Sequence, residues 1–162
     1  MALELYRIDD RLIHGQVVVG WGQPLDLRFV VLVDDEVAGS DWEQELYRMG
    51  VPQDMEVYFD TVQSAAANLQ RYQFDERRGL LLTGDIGTMT RLVDATDDIL
   101  RVNVGGIHHK PGRVQRLRYV FLTPAEEAQL AALEARGIEV TAQDVPAARP
   151  VPLEELLSGN GS

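Results

Sequence analysis

No cysteine occurs among the 162 residues. That excludes disulfides, zinc–thiolate centres and iron–sulfur clusters, and it fits a reducing compartment. Long apolar runs are also missing: none approaches the ~20 residues that span a bilayer. The start, MALELYRIDD, has no basic segment leading into an apolar one, so no signal peptide is expected. Positive charge is scarce, with 15 Lys and Arg against 26 Asp and Glu and a net charge of −11. Nucleic-acid binding through a broad basic surface is thereby disfavoured. What remains is ordinary for a globular chain, 45% apolar and 25% charged. A chain of this length buries roughly 70% of its extended surface and needs no covalent staple.

Seven short runs read as strands: Ala2–Ile8, Arg28–Val33, Met55–Phe59, Gly79–Thr83, Ile99–Val104, Tyr119–Leu122 and Ile138–Ala142. Several are near-continuous Val, Ile and Leu, as suits strands covered on both faces. Helical stretches alternate with them. A helix is predicted over Val37–Met49 ending at Gly50, and another over Thr61–Tyr72, where Val62, Ala65, Ala66, Leu69 and Tyr72 recur at spacings of three and four. Asp85 can cap a helix over Ile86–Ala95. Thr123, Pro124 and Glu126 form a start signal for a helix over Pro124–Arg136, which Gly137 ends. The alternation predicts one α/β domain over residues 1–162, with a mainly parallel sheet of about seven strands and helices on both faces. Pro146–Pro152 reads as a semi-rigid connection to a short helix at Leu153–Leu157, and the final SGNGS as a fraying tail.

Ligands of open α/β sheets sit beyond the carboxyl ends of the strands. Three loops fall there. The first, RIDDRLIHGQV, gathers Arg7, Asp9, Asp10, Arg11, His14, Gly15 and Gln16 at a strand-to-helix junction. A neutral imidazole at His14 has a lone pair able to attack phosphorus, and its ordinary pKa of ~6.5 keeps it partly neutral at pH 7. Arg11 offers a planar fork to phosphate oxygens. Gly15 permits close backbone approach, a helix starting there would present free N–H groups, and Gln16 is a further donor. Asp9 or Asp10 could orient Arg11 or hold one imidazole nitrogen. The same residue types also fit a surface ion-pair cluster around a helix start. One His and two adjacent Asp make a poor metal set. The second loop, Thr83-Gly84-Asp85-Ile86-Gly87-Thr88, fits either an anion pocket built on Thr83 and Gly84 or a plain turn with a helix cap. The third carries His108 and His109, which read as surface residues or as docking groups.

The segment RIDDRLIHGQV resembles the active-site signature of the IIB components of the mannose/fructose/sorbose family of bacterial phosphotransferase systems. VVLVDDEVA, LLLTGDIGTMTRLVD, VNVGGI and LEARGIEVTAQDVP resemble further blocks of that family, in its order. The resemblance implies that His14 accepts a phosphoryl group from a phosphohistidine of the IIA component and passes it to a sugar at the membrane IIC/IID permease. It implies that Arg11 and the pair Asp9 and Asp10 serve that step, with no metal or diffusible cofactor. It also implies a cytoplasmic protein, without membrane insertion of its own, that forms a homodimer. Two stretches depart from the pattern. Val18-Val19-Gly20-Trp21 stands where many members read A-T-R-W, and Ile107-His108-His109-Lys110 stands where an aromatic and a single basic residue are common. These departures keep open a stand-alone regulatory or binding protein that uses the same histidine without a sugar permease.

Overall fold

The first strand of the chain is the middle strand of its sheet. In the computed structural model, which describes residues 3–158 except for the side chain of Gln16, β1 (Leu3–Ile8) pairs with β4 (Arg78–Thr83) on one side and β5 (Arg101–Val104) on the other. Beyond β4 lie β2 (Leu27–Val33) and then β3 (Glu56–Asp60). Beyond β5 lies β8 (Glu139–Ala142), then β9 (Val151–Pro152). The order is β3-β2-β4-β1-β5-β8-β9, and every pairing is parallel except β8 with β9.

Right-handed crossovers then dictate the layers. The steps from β1 outward to β2 and β3 run one way, so α1 (Gly15–Leu25), α2 (Asp35–Ala38) and α3 (Asp41–Arg48) share one side. The return through β4, β5 and β8 places α4 (Val62–Gln73), α5 (Ile86–Asp94) and α6 (Pro124–Ala135) on the other, where α7 (Leu153–Ser158) joins them. Strand β2 serves both layers by its two-residue period. Phe29, Val31 and Val33 enter the core with α4 and α5, while Val30 and Leu32 enter the one with α1. Each such side chain, taken out of water, contributes roughly 1.5–3 kcal/mol.

The helix starts carry the caps that their sequences promise. Asp85 accepts from the Thr88 amide at 2.6 Å. Thr123 accepts from the Glu126 amide while Glu126 accepts from the Thr123 amide, with Pro124 opening α6. Gly137 ends that helix at φ +89°, a left-handed conformation natural to glycine.

Three expectations are corrected. The helix over Val37–Met49 is broken into α2 and α3, because extended Ser40 caps a new helix by accepting from the Glu43 amide at 3.4 Å. Tyr119–Leu122 is not a strand of the central sheet. Its residues form β7 (Val120–Leu122), which pairs with β6 (Val114–Leu117) in a separate antiparallel ribbon, fastened to α6 by Arg113–Glu126 and Arg116–Glu127 ion pairs. The seventh sheet strand is instead β9, inside the stretch read as a connection. Two residues suffice there because β8 offers an open antiparallel edge. Of the tail SGNGS expected to fray, Ser158 instead closes α7, and residues 159–162 lie outside the described residues.

Candidate phosphoacceptor site

The central position of β1 brings the three loops together. The chain leaves β1 toward α1 on one face, whereas it leaves β4 toward α5 on the other, so a crevice opens at their carboxyl ends. Backbone hydrogen bonds tie the loops across it. The Asp9 amide donates to the Thr83 carbonyl at 2.9 Å, the Gly105 amide to Ile8 at 2.7 Å and the Asp10 amide to Gly106 at 2.8 Å.

Under these loops runs a chain of charged side chains. Arg7 is fully buried, as is Asp9. Arg7 donates to the Asn103 side chain, to the Gln143 carbonyl at 2.9 Å, to the Asp144 carbonyl at 3.2 Å and to Asp9 at 3.2 Å. Its guanidinium lies 4.6 Å from the centre of the Trp21 ring. Asp9 in turn takes a fork from Arg11, Nε at 2.8 Å and Nη2 at 2.6 Å, along with the Arg11 amide at 3.2 Å. Burial pushes the Asp9 carboxyl up, but the Arg11 hydrogen bonds and the Arg7 charge outweigh it and hold it below the usual carboxylate range. The Asp9 hydrogen bond raises the Arg11 pKa above its ordinary value. Arg7 is pushed down by burial against the pull of Asp9, and it remains a cation because a guanidinium does not deprotonate in proteins.

The glycines of the third loop make room for this chain. A Cβ built on Gly105 would lie 2.4 Å from Arg7 Nη2 and 2.6 Å from Asp9 Oδ2, and one on Gly106 would lie 3.3 Å from Arg11 Nε and Asp9 Oδ1. Neither glycine is conspicuous in the sequence, because a Gly-Gly pair after a strand reads as a turn. Within β1, LELYRI, Arg7 is one of two charged residues, and nothing local marks it as the buried one.

His14 itself is exposed. The loop reaches it through Leu12, whose φ of +56° turns the backbone back on itself, with the His14 amide donating to the Leu12 carbonyl at 3.0 Å. The His14 carbonyl accepts from the amides of Val17 and Val18 at 2.9 Å, so His14 caps α1. No acidic residue occupies the first turn of α1, where the helix dipole presents its positive end. Gly15 opens the helix with empty space where a Cβ would stand. The Gln16 side chain lies outside the described residues.

The remaining candidates separate. Asp9 orients Arg11, whereas Asp10 accepts from the His108 amide at 2.7 Å and pairs with its Nδ1 at 2.5 Å, clasping the third loop to the first. Thr83 is buried, and its hydroxyl donates to the Asp85 carbonyl at 3.2 Å. Gly84 packs on Leu12, where a Cβ would meet Leu12 Cδ2 at 2.8 Å, so the second loop supports the first and caps α5. His108 and His109 are exposed, and His109 sits edge-on to Phe121 at 5.6 Å. Among the described residues, no group of three or more His, Asp or Glu is placed to hold a metal ion, and no helix is long and apolar enough to cross a membrane.

Solved structures repeat this fold. That of manxB from Thermoanaerobacter tengcongensis superposes with a TM-score of 0.87 at 28% identity, covering 98% of this chain and 96% of that one. The N-acetylgalactosamine-specific phosphotransferase enzyme IIB component 2 of Escherichia coli (strain K12) is 33% identical over 153 residues, 94% of this chain and 97% of that protein. The mannose-specific EIIAB component of the same strain is 29% identical over 158 residues, 98% of this chain but 49% of that longer protein. Residues 3–162 match the family described as the PTS system sorbose subfamily IIB component. By these likenesses, this chain belongs to the IIB components of the sorbose subfamily of sugar phosphotransferase systems.

Proposed function

We propose that the chain is a cytoplasmic phosphocarrier that takes a phosphoryl group on His14 from the phosphohistidine of a IIA component and delivers it to a sugar at a IIC/IID permease. One observation carries this reading: an exposed histidine at the open amino end of α1, in the same loop as an arginine locked by a buried carboxylate. The family supports it, as does a relative that carries EIIA and EIIB in one name.

In the first step an imidazole nitrogen of His14 attacks phosphorus. A new N–P bond forms as the donor's N–P bond breaks, and the donor imidazole leaves with the electron pair. In the second, a sugar hydroxyl attacks, His14 recovers its lone pair and the hydroxyl proton passes to a base beside the sugar. The work of the protein is positioning and charge neutralisation, since little covalent assistance is needed. Arg11, held in one orientation by Asp9, supplies a fixed cation, and the amides at the start of α1 supply donors. Asp10 holds the third loop over the first. Gly15 leaves the approach open, Thr83 and Gly84 buttress the loop, and Gln16 is a further donor. The reading includes a homodimer, which sedimentation equilibrium measures.

The decisive experiment is intact-mass spectrometry after mixing with enzyme I, HPr, IIA and phosphoenolpyruvate. A single phosphate-sized mass increase that maps to His14 and is absent from His14→Ala is expected. Full labelling of His14→Ala would refute the assignment. The relatives' names set the sugars to try: N-acetylgalactosamine, sorbose and mannose.

A further inference from the structure

Helix α3 buries no residue, yet it is not polar on its outer side. Trp42, Leu46 and Met49 are 69%, 54% and 79% exposed. Their spacing of four and three sets them in one stripe, about 10 Å long at the α-helical rise. With Asp41 and Glu45 they line a shallow concavity of about 460 Å³. Contiguous exposed apolar surface of this kind marks an interaction site, and Trp and Met are enriched in such places.

The stripe begins beside the phosphoacceptor loop. Gly50, next to Met49, packs so that a Cβ on it would lie 3.9 Å from the Ile13 carbonyl oxygen, one residue before His14. Tyr47 and Val51 pack into the same cluster as Ile13 and Val17. The carboxyl end of the stripe therefore adjoins the segment that leads into His14, the residue that carries phosphate in the function proposed above.

The charge around the stripe selects its occupant. The two charged side chains that line the concavity, Asp41 and Glu45, are both acidic and exposed, against one exposed arginine of the helix, Arg48, on a chain of net charge −11. A second copy would set acid against acid, and anionic lipid headgroups would be repelled. Cytosolic loops of membrane proteins carry an excess of Lys and Arg. We infer that the Trp42–Leu46–Met49 stripe is the docking face for a basic, cytosol-facing loop of the sugar permease, so that α3 sets His14 against the permease and is not needed by the IIA donor. This inference rests on the phosphocarrier reading, and its test separates the two.

The test compares wild type with Trp42→Gln/Leu46→Gln and Asp41→Lys/Glu45→Lys, all at exposed positions where folding is little affected. The first readout is the rate of His14 labelling by phosphorylated IIA. The second is phosphorylation of N-acetylgalactosamine, sorbose or mannose by inverted membrane vesicles from the native source. The expected result is donor labelling within about twofold of wild type, with vesicle-dependent sugar phosphorylation reduced about tenfold or more at low protein concentration and restored at high concentration. Unchanged sugar phosphorylation overturns the inference. So does equal loss in both steps, which would place the donor on α3, or a dimer in wild type that the variants lose with sugar transfer intact. A wild-type chain that takes no phosphate on His14 refutes the phosphocarrier reading itself and this inference with it.

Discussion

Replacing Gly105 with alanine tests whether the buried Arg7–Asp9–Arg11 chain organises the site. The new methyl group would stand 2.4 Å from Arg7 Nη2, 2.5 Å from Arg7 Cζ and 2.6 Å from Asp9 Oδ2. Neither side chain can yield easily. Arg7 is fixed by the Asn103 side chain, the carbonyls of Gln143 and Asp144, and the Trp21 ring, and Asp9 by the Arg11 fork. Overpacking a core costs about 1–3 kcal/mol, and separating a buried pair about 3–5 kcal/mol. A loss of about 3 kcal/mol is expected, equivalent to a fall in Tm of about 6–12 °C for a chain of this size. Gly20→Ala is the control. It lies inside α1 with nothing within 4 Å of its Cβ position, so it should stabilise by up to ~1 kcal/mol. Calorimetry on both variants decides the matter, with rapid-quench labelling as a second readout, since a displaced Asp9 no longer aligns Arg11. If Gly105→Ala melts within about 2 °C of wild type, the close approach is not a constraint and the reasoning fails.

Asp9→Asn should cost about 3 kcal/mol at pH 7, because it strands the Arg7 charge in the interior. The Asp9 carboxyl lies below its ordinary range when folded, so its contribution is present above about pH 4 and is lost as pH falls through the folded value. Urea midpoints of Asp9→Asn should therefore decline less steeply below pH 4 than those of wild type, and parallel curves would contradict this. Arg11→Lys keeps the charge but loses the fork to Asp9, and transfer to His14 should slow by about tenfold in rapid-quench measurements, with secondary structure unchanged by circular dichroism. Thr123→Ala removes the side-chain half of the α6 capping box and should cost about 1 kcal/mol in urea unfolding without altering phosphate uptake.

Much of the architecture was legible because strands buried on both faces must be continuously apolar, and FVVLV and LLL leave little else to choose. The break between α2 and α3 had a signal as well, since Ser40-Asp41-Trp42-Glu43 is an S-x-x-E start, but it lay within a stretch that also scans as one helix. The β6–β7 ribbon was hidden because Val120 and Leu122 are as buried as sheet residues while their partners in β6 are exposed or half-buried. At the site, the sequence placed the reactive residue types in one loop. It did not reveal that the two acids divide their work, Asp9 with Arg11 and Asp10 with His108, since adjacent residues share composition and differ only in direction. Arg7 was named with the first loop but given no role, because nothing local tells a buried arginine from an exposed one. Its partners, Asn103, Gln143 and Asp144, lie about a hundred or more residues away.

That separation bears on how the protein comes into being. The loop that holds His14 is synthesised before the segments it folds against. Its backbone awaits Thr83 and Gly106, and Arg7 awaits the carbonyls of Gln143 and Asp144, 136 and 137 residues downstream. Domains with such distant closures fold late and as a unit. A nascent chain therefore carries its histidine without the framework around it until Gln143 and Asp144 have been made. In the phosphocarrier reading proposed above, a product that stops short of Gln143 would draw little phosphate from the donor.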